Sequence, residues 1–111
     1  MKENVSQQLM NEHEIRVLRK TLEVICGKWR LFILLHLNDQ TRRYGELRKS
    51  IPDVSEKVLI QELKALIEIG VVEKQSYNEV PPRVEYRLTQ KGLTVLPQLL
   101  KLREIGEIFM K

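Results

Sequence analysis

From Ser55 to Gly70 the chain reads SEKVLIQELKALIEIG, and Leu59, Leu63, Leu66 and Ile67 recur at helical spacing on one stripe that Val58 and Ile69 widen. The pattern predicts an amphipathic helix with that stripe against a core. Both ends are punctuated. Ser55 follows the turn Ile51-Pro52-Asp53-Val54 and supplies a hydroxyl oxygen for an orphan amide of the first turn, and Gly70 allows the left-handed closure before strand-like Val71 and Val72. At 100° per residue, Lys57, Gln61, Lys64, Ala65 and Glu68 fall on the outer side, with Ile60 at its shoulder. Taken alone, such a face is most often simply hydrated. The order of elements around it points further.

Upstream, Ile15, Leu18, Leu22 and Ile25 keep helical spacing from Glu14 until Cys26-Gly27 interrupts, which predicts a first helix. Residues 1–12 are polar and weakly patterned, and are expected to form a frayed N-terminal arm or a short helix stabilised only by a partner. Trp29 opens a second apolar segment in which Leu31 to Leu35 and Leu37 leave little polar face, so this short helix is expected to be buried on most sides. Arg42 to Ser50 then forms a brief unit with four cations, in which Tyr44 and Leu47, followed by Ile51, can face inward from a helix of about two turns. Pro52 bars its continuation. A short helix, a tight turn and a longer capped helix make the helix-turn-helix arrangement, whose second helix enters the major groove with its N-terminal residues nearest the bases.

Downstream, Val71 to Tyr77 and Val84 to Thr89 read as two strands around Asn78-Glu79-Val80-Pro81-Pro82-Arg83. The prolines stiffen the hairpin tip and leave Arg83 near its base, where a wing arginine is expected to reach a minor groove. Thr89 caps a last helix from about Gln90 to Phe109, with Pro97 expected to kink or break it. The apolar positions of this helix, among them Leu96, Leu99, Leu100, Leu102, Ile105 and Phe109, exceed what one core-facing stripe requires, and the excess predicts a subunit interface, with core packing within one subunit as the competing account.

The predicted fold is mainly α with a small β-wing, a winged helix-turn-helix with flanking N- and C-terminal dimerisation helices. The 111 residues are expected to form one such unit. The DNA-facing set is expected to be Arg42 and Arg43, then Ser55, Glu56, Lys57, Ile60, Gln61 and Lys64, and finally Arg83. Nineteen Lys and Arg against fifteen Asp and Glu give a net charge of +4, a mild signal for a polyanionic partner. The N-terminus carries no apolar stretch of signal-peptide type and no run is long enough for a membrane span, so the expected location is cytoplasmic, without membrane contact. One cysteine and two histidines make a zinc site improbable, and no cofactor is expected. Cys26, at the end of an apolar stripe beside Trp29, is expected to be a small buried hydrophobe without a sensing role.

Several segments in this order resemble one family. They are Gly27-Lys28-Trp29 with the Leu-rich helix, Arg43-Tyr44-Gly45-Glu46-Leu47, Ile51-Pro52 with Ser55-Glu56-Lys57-Val58-Leu59, Gly70-Val71-Val72-Glu73, and above all Glu79-Val80-Pro81-Pro82-Arg83-Val84-Glu85-Tyr86 with Leu88-Thr89 and Gly92. Together, over roughly Thr21 to Gly106, the chain resembles the HxlR-type winged helix-turn-helix transcription regulators of the MarR-like superfamily. The resemblance implies a homodimer on palindromic operator DNA, acting as a repressor or activator and held by the N- and C-terminal helices, which brings Ile15, Leu18 and Leu22 into the expected interface. Two features depart from it. Arg16 and Val17 stand where many members carry a Cys-Pro pair, and Ile105 stands where a tryptophan is frequent.

No Gly-rich phosphate loop and no Cys-His or Ser-His arrangement supports catalysis, so the reading is a DNA-binding regulator rather than an enzyme. The alternative is a winged-helix protein-protein interaction module without DNA binding. Operator sequence, target genes and any small-molecule effector are not legible.

Overall fold

The structure, a computed structural model, describes residues 9–38 and 40–111; residues 1–8, the greater part of the expected N-terminal arm, lie outside the described residues. Helices α1 (Glu12–Ile25) and α2 (Arg30–His36) lead into a two-residue strand β1 (Arg42–Arg43), then α3 (Tyr44–Ser50) and α4 (Glu56–Ile69). Strands β2 (Val72–Tyr77) and β3 (Arg83–Leu88) follow, and helices α5 (Gln90–Leu100) and α6 (Arg103–Met110) close the chain. None of the described helices is long and apolar enough to cross a membrane.

The caps of α1, α4 and α5 have identifiable residues behind them. Asn11 and Glu14 form a reciprocal capping box on α1. Ser55 Oγ accepts from Val58 N at 3.1 Å at the head of α4, and Gly70, at φ +92°, closes its tail with N–H bonds to Leu66 and Ile67 carbonyls. Thr89 Oγ1 accepts from Gly92 N and donates to the carbonyl of Gly70, fastening the start of α5 to the end of α4.

The sheet order is β1-β3-β2, all antiparallel, with Arg42 opposite Tyr86, Arg43 opposite Glu85 and Val72 opposite Leu88. Its buried residues Val72, Tyr86 and Leu88 join Leu59, Leu63 and Leu66 of α4, Ile33, Leu34 and Leu37 of the α2 segment, Leu47 of α3, Ile51 and Val54 of the turn, and Leu96 and Leu99 of α5 in one core.

Several expectations change. The unit from Arg42 is not all helix, because its first two residues pair with β3 instead. Helix α2 is buried on one side only: Ile33 and Leu34 are in the core, whereas Phe32 is 51% exposed and Leu35 is also exposed. Pro97 does not break the last helix. It sits on the solvent side, where water can satisfy the carbonyl left without its N–H. The interruption comes at Lys101-Leu102, where Lys101 N bonds to Gln98 O and Leu102 N to Leu99 O, one tight turn between two α-helices. Cys26 is exposed rather than buried, because α1 ends at Ile25 and the chain turns outward there.

Candidate nucleic-acid interface

The turn between α3 and α4 is clamped from both sides. Ile51 and Val54 are buried beneath it, and Arg48 Nη1 donates to the carbonyl of Val54 at 2.7 Å, so the second helix leaves at a fixed angle. Glu46 Oε1 accepts from Arg43 N at 2.7 Å and caps α3. With Leu59, Leu63 and Leu66 inward, α4 leaves Glu56, Lys57, Ile60, Gln61 and Lys64 exposed, and the N-cap Ser55 is exposed with them. Tyr44, at the start of α3, lies beside Glu56; burial of the phenol, and then the nearby carboxylate, hold its pKa above the ordinary tyrosine value, so it stays neutral near physiological pH.

The arginines divide. Arg43 is exposed and, with Tyr44 and Gly45, lines an open cleft whose other wall is the wing from Glu79 to Val84. Arg42 is half-buried, its Nε donating to the carbonyl of His36 at 2.7 Å, so it ties β1 to the end of α2. Arg83 is not free for a groove as expected. Its guanidinium stacks 4.0 Å from the centroid of Tyr77, with Nη2 3.2 Å from Glu79 Oε2 and Nε 3.5 Å from Glu85 Oε2. At the wing tip it is Val80 that stands fully exposed.

A second surface is apolar. On α1, Val17, Leu18 and Leu22 are exposed and Ile15 is half-buried; on the last turn and α6, Leu102, Ile105, Ile108 and Phe109 are exposed, the last at 81%. Leu96 and Leu99 do not belong to this surface. They are 2% and 7% exposed in the protein's own core, and Leu100 is half-buried, because α5 turns its stripe toward α2. Sequence reasoning also passed over Arg30 and Glu62, which form an ion pair at 2.9 Å between the start of α2 and the flank of α4. No local pattern could have revealed a pair 32 residues apart.

A clamped helix-turn-helix with an exposed polar second helix, followed by a β-hairpin wing, defines a winged helix-turn-helix DNA-binding protein. The profile of the HxlR-like helix-turn-helix family matches residues 24–111, and the chain belongs to that family of transcription regulators, which are not enzymes. Among its relatives, YdeP of Bacillus subtilis (strain 168), an uncharacterized HTH-type transcriptional regulator, is 40% identical over 87 residues, 78% of this chain and 68% of the relative. A solved MarR-family structure from Porphyromonas gingivalis W83 superposes with a TM-score of 0.75 at 47% identity, covering 81% of this chain and 88% of that one. A MarR-family structure from Enterococcus faecalis V583 gives 0.77 at 33% identity, over 92% and 91%.

Proposed function

We propose that the protein is a cytoplasmic, sequence-specific regulator that binds palindromic operator DNA as a homodimer, with α4 of each subunit in a major groove and the wing along the adjacent minor groove. The observation that carries this reading is the outer face of α4, where Lys57, Gln61 and Lys64 stand exposed beyond a capped N-terminus while the opposite stripe is anchored in the core. Lysine and glutamine there have the donors that guanine and adenine edges accept or pair with, and the helix dipole favours nearby phosphate. Arg43 supplies backbone charge beside them. The exposed apolar stripes of α1 and α6 supply the subunit contact, since so much unpaired Leu, Ile and Phe surface is costly in water. Repression or activation of neighbouring genes then follows from where the operator lies.

Selection of bound fragments from random duplex DNA tests the reading. The expected product is an inverted repeat with half-site centres on the order of 10 base pairs apart, one helical turn. A library without an enriched sequence, or a motif with one undivided half-site, would overturn it.

A further inference from the structure

Arg30 opens α2, and its guanidinium reaches in two directions. Nε donates to Glu62 Oε1 at 2.9 Å on the flank of α4, while Nη1 donates to the carbonyls of Glu23 at 2.9 Å and Val24 at 3.2 Å. Those carbonyls belong to the last turn of α1, where the helix has no N–H left to satisfy them. The two ionic side chains are 17% and 18% exposed, so the bridge is shielded from the water and salt that weaken surface pairs. Among the described residues, no other polar contact joins α1 to the rest of the fold. None of the side chains of α1 is fully buried either, and its C-terminal Val24 and Ile25 meet the body around a small apolar gap lined by Leu31, Leu34, Leu99 and Leu102. Helix α1 is therefore a lever held near its C-terminal end, and Arg30 is the fastening that also grips the recognition helix.

We propose that Arg30 and Glu62 are positioning residues for operator recognition. The bridge fixes the angle between α1 and α4. In the homodimer reading, on which this inference rests, α1 carries part of the subunit contact, so the bridge sets the separation of the two recognition helices and with it the half-site spacing that the protein accepts. Neither residue touches DNA in this arrangement; both act through the helices they join. Gly27 belongs to the same device. A Cβ on it would stand 2.8 Å from Glu62 Oε1 and 3.2 Å from Arg30 Cγ, so any side chain there crowds the carboxylate and shifts it where it meets the guanidinium.

The test compares the wild type with Glu62→Ala, Glu62→Gln and Gly27→Ala. Sedimentation reads the oligomeric state, and affinity is measured for an isolated half-site and for inverted repeats whose spacer varies in single base-pair steps. Glu62→Ala and Gly27→Ala should remain dimeric, keep the half-site affinity, and lose the preference for the best spacer over its neighbours by roughly 2- to 30-fold. Glu62→Gln keeps an oxygen for Arg30 Nε and should recover most of that preference. A uniform loss of affinity for every duplex, or an unchanged spacer profile in Glu62→Ala, would overturn the positioning role while leaving the dimer intact. A wild type that is monomeric or indifferent to spacing would instead overturn the homodimer reading, and this inference with it.

Discussion

Gly92 lies against the carbonyl oxygen of Val71, so close that a Cβ at residue 92 would stand 2.2 Å from that oxygen. The same oxygen accepts from Thr89 N at 3.1 Å, and Thr89 in turn caps α5 and bonds to Gly70 at the end of α4. Helix α4, the wing and α5 thus meet at one point, and the contact on the Val71 side is backbone, which cannot rotate away as a side chain would. Gly92→Ala should therefore destabilise the protein by roughly 1 to 3 kcal/mol, the usual cost of overpacking, in a denaturant titration. Wild-type stability would show that α5 can slide along the sheet.

The outer face of α4 should divide specificity from affinity. Gln61 and Lys57 are exposed near its N-terminal half, so replacing either with alanine should cost roughly 1 to 3 kcal/mol on the selected operator and relax one position per half-site. Arg43→Ala should weaken binding to all sequences and flatten its salt dependence, as loss of a phosphate contact does. An unchanged motif and affinity in Gln61→Ala would remove α4 as the reader.

The wing calls for a different expectation from the one its arginine first suggests. Arg83 already has Glu79 and Glu85 as partners and Tyr77 beneath it, so its charge is spent within the hairpin. Glu79→Gln should release part of that charge, raise affinity for all duplexes and steepen the salt dependence. Reduced affinity in Glu79→Gln would mean that wing rigidity outweighs wing charge.

Much of this architecture is legible in the residues, and what is not has a common cause. The α4 caps at Ser55 and Gly70, the Thr89 cap and both strands of the wing rest on short-range patterns, and each stands within a residue or two of its expected place. Strand β1 has only two residues and exists because Tyr86 and Glu85 pair with it, more than forty positions away. The ties of Arg42 to His36 and of Arg48 to Val54 are likewise contacts to backbone carbonyls, which leave no compositional trace. The apolar pattern of the last predicted helix does not say which leucines face the protein's own core, since α5 and α6 are separated by a tight turn that resets the stripe.

That separation decides where the interface can be tested. Removing everything after Gly92 would delete Leu96 and Leu99, both buried in the core, and so would unfold the subunit before it reported on assembly. A chain ending at Lys101 is the discriminating variant. It keeps α5 whole and removes Leu102 with α6, a helix none of whose residues is buried and whose Ile105, Ile108 and Phe109 are 53%, 70% and 81% exposed. Since α6 adds little to the core of one subunit, the shortened chain should retain a cooperative thermal transition near that of the wild type. In the homodimer reading its apolar face packs against a second copy, so the same chain should sediment as a monomer and lose its preference for an inverted repeat over a single half-site. A shortened chain that stays folded and dimeric would move the subunit contact onto α1 and the exposed Phe32 and Leu35 of α2.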